Sequence, residues 1–145
     1  MTVTAPPAAA GEQSRRRRMV PPLAVAGGLA AATLALHLRD PHEQGSWGLC
    51  PTAALGFACP GCGGLRAVND LSNGDLGAAA SSNLLFVLSI PLIVLVLARW
   101  SHGRWTGRGW EPSPRVLRVV TIAVVALLAV FTVARNTPAG AWLAP

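Results

Sequence analysis

The sequence predicts an all-α integral membrane protein, with three transmembrane helices and a short interfacial helix that follows a cysteine-rich loop. Three observations carry this. Apolar residues make up 52% of the 145 positions and charged residues only 12%, against roughly 25% charged in soluble domains. Mean hydropathy is +0.45, and the apolar residues come in long blocks instead of alternating with polar ones. Arginine and tryptophan gather at the edges of those blocks, the pattern of a membrane–water interface.

A chain of this length has room for one domain. Its net charge is +6, and all 12 basic residues are arginine. Four form the run Arg15 to Arg18, and most of the others flank apolar spans. There is no tyrosine and only 3 phenylalanines, so no aromatic platform interleaves with the arginines as single-strand binding requires. The charge therefore reads as membrane topology. The lipid bilayer is the expected partner, together with another membrane protein or a second copy of the chain, and nucleic acid is not.

Residues 1–18 are rich in Ala, Pro and Thr before the arginine run and read as a disordered tail. The first span follows, Met19 to Leu38, about 20 residues without a formal charge, the length that crosses a hydrocarbon core of about 30 Å. Pro21 and Pro22 fall in its first turn, where a missing N–H is tolerated, and Gly27-Gly28 permits close helix approach. Ser14-Arg15-Arg16 also resembles a twin-arginine export signal, but the apolar stretch is long for one and further spans follow. Residues 39–75 form a loop with turn chemistry from Asp40 to Ser46, Trp47 suited to the headgroup region, and the cysteines. Within it Leu65 to Leu71 makes a short amphipathic helix, with Leu65, Val68 and Leu71 on one face and Arg66, Asn69 and Asp70 on the other. Asn73-Gly74 ends that helix, and Asp75 N-caps the next.

The second span covers residues 76–98, with a kink expected at Pro91. An Arg/Trp loop, residues 99–115, reads as an interfacial anchor touching anionic lipid. The third span covers residues 116–134, with Arg118 near enough to its start to snorkel. Residues 135–145 are a short tail carrying Trp142. Arg15 to Arg18, and Arg99, Arg104, Arg108, Arg115 and Arg118, lie two spans apart and so share one face. The positive-inside rule makes that face cytoplasmic, which turns the cysteine loop and the C-terminus outward in a plasma membrane.

All three cysteines, Cys50, Cys59 and Cys62, fall in this outer loop, and three readings of them stand side by side. In an oxidising compartment two would pair in a structural disulfide, leaving one over. As redox chemistry, Cys59-x-x-Cys62 sits before a helix whose N-terminus would stabilise a thiolate, although no thioredoxin-like pattern surrounds it. As a zinc site, Cys59-Pro60-Gly61-Cys62-Gly63 has the form of a metal knuckle, in which Gly63 takes a left-handed conformation and frees backbone N–H groups for the sulfurs. Cys50 would be the third ligand, and His42 or His37, water or a second protomer the fourth. Arg66 with Asp70 or Asp75 is a further pair of interest, because charge at membrane depth is costly and often functional. Asn83 is assigned a local back-bond.

Cys59-Pro60-Gly61-Cys62-Gly63-Gly64-Leu65-Arg66-Ala67, then Asn73-Gly74-Asp75-Leu76 and Asn83-Leu84, resembles a bacterial membrane-protein family catalogued as a domain of unknown function. Its hallmark is C-P-x-C-G-x-T-R followed by G-D and N-P. The resemblance covers about Leu49 to Leu97 and departs at Leu65, where the family has threonine, and at Leu84, where it often has proline. It implies a small helical membrane protein with an interfacial cysteine motif, and no activity. No complete catalytic constellation is present, and about half the mass is needed to span. The favoured reading is therefore a non-enzymatic subunit or scaffold with structural cysteines, followed by zinc binding and then by thiol–disulfide exchange.

Overall fold

The computed structural model describes residues 7–43, 52, 55–109 and 111–144. Among these the chain is helical, with no strand: α1 is Pro7–Leu38, α2 Gly64–Ser72, α3 Leu76–Thr106, α4 Pro114–Arg135, and a 3₁₀ helix is Pro138–Leu143. Three stretches are long and apolar enough to cross a membrane: Ser14–Leu38, Leu76–Thr106 and Pro114–Arg135. The protein is thus an all-α membrane protein with three spanning helices and a short helix after a loop. Leu23, Leu34, Leu92, Val119, Ile122 and Val130 on those spans are exposed, which is the state that lipid, not water, satisfies.

Two boundaries differ from the sequence reading. Residues 7–18, expected to be disordered, continue α1; Ala8-Ala9-Ala10 and Glu12-Gln13 are strong helix formers, and propensity summed over such a window favours helix. The second span runs on to Thr106, so the connection to α4 is shorter than 99–115. Inside α3 Asn83 has non-helical geometry (φ −160°, ψ 91°), a break that the sequence reading does not anticipate. Asn83 Oδ1 accepts from the Phe86 N–H at 3.0 Å, so it starts the following turns as an internal N-cap.

The chain divides into two compact units, Met1–Ala30 with Pro91–Glu111, and Ala31–Ile90 with Pro112–Pro145. In the first unit Arg104 Nε donates to the Arg18 carbonyl at 3.1 Å, and the Arg15 guanidinium lies 4.9 Å from the Trp105 ring centroid. These contacts join the basic end of α1 to the basic end of α3. Gly107 follows at φ +74°, and a Cβ there would strike the Arg18 guanidinium.

The second unit has an interior made largely of polar groups. Asn69, Asp70, Ser82, Asn83 and Arg135 are buried beside Leu36, Ala67, Ala79 and Phe131. In α2 it is therefore Asn69 and Asp70, with Ala67, that turn inward, while Arg66 and Leu65 are exposed. For Asn69, Asp70 and Leu65, water would favour the reverse. In a bilayer an apolar side chain loses nothing by facing out, and polar groups must find partners within the protein. Asn69 Nδ2 donates to the Leu36 carbonyl at 2.7 Å, satisfying one of the last carbonyls of α1. Ser82 Oγ donates to Asp70 Oδ2 at 2.8 Å, and His37 Nδ1 and Ser72 Oγ lie 3.0 Å apart.

Beyond α4 the chain turns back through Asn136 and Thr137 into the 3₁₀ helix. Gly140 is buried there, and a Cβ on it would collide with the Ala134 carbonyl. Overpacking of this kind costs roughly 1–3 kcal/mol. Gly140→Ala is therefore expected to lower the melting temperature of the detergent-purified protein, whereas Ala139→Gly on the exposed neighbour leaves it nearly unchanged. Equal melting of the two variants would contradict the close approach.

Candidate functional site

The site is the turn Ala58–Gly63 and the groups that hold it. Cys62 N–H donates to the Cys59 carbonyl at 3.1 Å and Gly64 N–H to the Gly61 carbonyl at 3.0 Å, so successive turns wind directly into α2. Gly63 makes the change of direction at φ +78°, a left-handed conformation that glycine adopts without steric cost. No side chain caps α2 at Gly63, so its first N–H groups face back toward the cysteine turn.

The tight turn brings the carbonyls of Cys59, Pro60 and Cys62 together, and two spanning helices supply donors to them. From α3, Asn83 Nδ2 donates to the Pro60 carbonyl at 2.9 Å and to the Cys62 carbonyl at 3.0 Å. From the end of α4, Arg135 Nη1 donates to the carbonyls of Cys59 at 3.0 Å and Cys62 at 3.1 Å, and Nη2 to that of Cys62 at 3.1 Å. Asn83 is 1% exposed and Arg135 3%. Asn136 completes the clamp by pairing with Ala58 like a strand neighbour. It accepts from the Ala58 N–H at 3.0 Å and donates to the Ala58 carbonyl at 2.9 Å. The Arg135 guanidinium also lies 5.0 Å from the Phe131 ring centroid, while its buried Nε has no hydrogen-bond partner among the described residues.

The sulfurs project from this fixed frame. Cys59 and Cys62 are both half-buried and in the thiol form, with Sγ atoms 3.1 Å apart. Thr52 Oγ1 lies 3.7 Å from Cys62 Sγ. The adjacent Cys62 sulfur and then the Thr52 hydroxyl hold the Cys59 thiol below its ordinary value, against the opposing effect of burial; the backbone N–H groups of Gly61 and Cys62 act in the same lowering direction.

Other residues singled out in the sequence go elsewhere. Cys50 and Trp47 lie outside the described residues. His42 Nδ1 is 2.8 Å from Asp40 Oδ1 and His42 Nε2 is 3.4 Å from Asp70 Oδ1, so its ring faces carboxylates. Among the described residues no group of three or more His, Cys, Asp or Glu side chains is arranged to hold a metal ion. Arg66 is exposed. The partners considered for it are engaged otherwise, Asp70 by Ser82 and His42 and Asp75 by the Ala78 N–H at 2.8 Å. Gly74, at φ +81°, closes α2 with its N–H on the Leu71 carbonyl. The site thus brings Cys59, Pro60, Cys62 and Asn83 together and adds Arg135 and Asn136, which in the sequence only open the tail after the third span. The available signal was a single arginine at the edge of an apolar helix, far from the two basic clusters.

Residues 50–97 match the family model described as a protein of unknown function (DUF2752). The matched segment contains the cysteine turn, α2 and the Asn83 break, and leaves α1 and α4 outside it. No curated protein and no solved structure matches the chain.

Thiolate is the form that alkylates, so the rate of Cys59 alkylation should rise with pH through a midpoint below the usual value of about 8.5 for a free cysteine. Cys62→Ser removes the largest cause of the lowering and should move the midpoint upward. An identical midpoint in both proteins, read by mass spectrometry of the Cys59 peptide, would contradict this account.

Proposed function

We propose that the protein is a non-enzymatic component of a bacterial plasma membrane, a subunit or scaffold, in which the cysteine turn serves structurally as the point where spanning helices are fastened together. The observation that carries this reading is the clamp of Asn83 and Arg135 on the carbonyls of Cys59, Pro60 and Cys62. The clamp uses backbone atoms, so it asks nothing of the sulfurs. A buried guanidinium spent on fastening a turn is a large investment in a chain of this size, since charge inside a membrane costs at least about 2.5 kcal/mol.

The same reading gives the chain an N-terminus in the cytoplasm and the cysteine turn on the outer face. Its support is the position of the charge: Arg15 to Arg18 and Arg104 meet at one end of the first unit, and clusters of arginine are retained on the cytoplasmic side. A zinc-type knuckle remains the alternative for the sulfurs, with Cys50 as its third ligand.

Removing Arg135 takes three charge-assisted hydrogen bonds from the Cys59 and Cys62 carbonyls, which keep the Cys62 N–H and Asn83 as donors, and bonds to a charged group contribute roughly 1.5–3 kcal/mol each. Arg135→Met should therefore lower both steady-state level and melting temperature by a large margin, and Asn83→Leu should do so less severely. The exposed Arg66→Ala should match the parent. A parent-like Arg135→Met protein would sink the fastening role. Orientation is tested separately on intact cells: a membrane-impermeant maleimide should label Cys59 or Cys62 without permeabilisation, and labelling only after permeabilisation would reverse the assigned topology.

A further inference from the structure

The fastening role leaves the two thiols unexplained. Their carbonyls are held from two helices, so the turn keeps its shape whatever the sulfurs do. They lie 3.1 Å apart, closer than the spacing of about 3.8 Å that two sulfurs take at the corners of a tetrahedral zinc site with bonds near 2.3 Å. Both are half-buried and so partly open to a reagent. A second feature points the same way. Arg135 is 3% exposed, and among the described residues its Nε has no hydrogen-bond partner and no carboxylate pairs with it. Its guanidinium is bonded to the carbonyls of both cysteines, so its charge lies beside the two thiols, and a nearby cation favours a thiolate.

We propose that Cys59 and Cys62 form a reversible two-electron dithiol–disulfide couple at the membrane face, reacting with a disulfide on a partner molecule. The step balances as follows. The Cys59 thiolate attacks one sulfur of the incoming disulfide, forming a mixed disulfide and expelling the other sulfur as a thiolate, which takes up a proton. Cys62 then loses its proton and attacks the Cys59 sulfur, closing the Cys59–Cys62 disulfide and expelling the second thiolate, which is protonated in turn. Two electrons and two protons pass from the chain to the partner, whose disulfide becomes two thiols. An external dithiol drives the reverse. Arg135 acts as a positioning residue, holding the turn and favouring the thiolate without forming a bond to the incoming sulfur.

The test uses the detergent-purified full chain carrying Cys50→Ser, reduced, desalted, and treated with the small aromatic disulfide dithiobis-nitrobenzoate in substoichiometric and equimolar amounts. The expected result is two nitrothiobenzoate ions released per reagent molecule, no retained adduct, and a protein lighter by two hydrogens. Adding Cys62→Ser should release one ion and retain one adduct on Cys59. Two retained adducts in the chain with both cysteines, one on each sulfur, would overturn the proposal, because the thiols would then react without closing. Thiols that react only after a chelator is added would also overturn it, in favour of a metal site. The same chain equilibrated in mixtures of reduced and oxidised dithiothreitol should convert between dithiol and disulfide along a two-electron curve. A pair locked in either state across the whole range is the third overturning result, and it needs no further variant.

Discussion

Arg135 is buried at the end of the last spanning helix, and its guanidinium can be stable there only because acceptors are brought to it. The carbonyls of Cys59 and Cys62 are those acceptors, and they converge only because Gly63 turns the chain through a left-handed conformation and Asn83 holds the opposite side. Charge and turn depend on each other. Without the arginine the turn is held from α3 alone, by Asn83; without the turn the arginine is an unbalanced ion at membrane depth. The break in α3 belongs to the same arrangement, since an Asn83 kept in regular helical geometry would have to give up the capping bond to Phe86.

The centre of this unit reverses the usual division of labour in folding. In water, apolar contacts would collect inside and polar groups would be admitted as exceptions. Here Asn69, Asp70, Ser82, Asn83 and Arg135 collect inside, and each meets a partner from a different segment: α1 through Leu36, α2 through Asp70, the cysteine turn through its carbonyls. Lipid makes apolar burial nearly neutral, so hydrogen bonds and close packing decide which helices associate.

The same physics sets what could be read from the sequence. The spans were legible as long apolar blocks, and the short helix as a periodic segment bounded by Asn73-Gly74. Gly63 and Asp75 were legible because turn and cap chemistry is local, requiring only neighbours a few residues away. The pairing of Arg135 with Cys59, of Asn136 with Ala58 and of Asn83 with Pro60 was not, because residues this far apart along the chain leave no periodic trace. A local back-bond is the sequence reading for Asn83; its amide instead accepts from the Phe86 N–H ahead of it and donates to the cysteine turn. The break at Asn83 leaves no trace in the sequence because the bonds that replace the helical ones come partly from the distant cysteine turn. The inward face of α2 misled for another reason: amphipathic periodicity identifies two faces but does not say which solvent each one meets.

That the clamp on the cysteine turn comes from the last span has a bearing on biogenesis. As the chain is made from its N-terminus, α1, the turn, α2 and α3 leave the ribosome before Arg135 has been added. Until α4 is inserted, the carbonyls of Cys59 and Cys62 lack their guanidinium and the two thiols lie on a loop held from one side only. The turn's fastening is therefore completed only after α1, α2 and α3 have been made, when the third span brings the guanidinium that holds it from the second side.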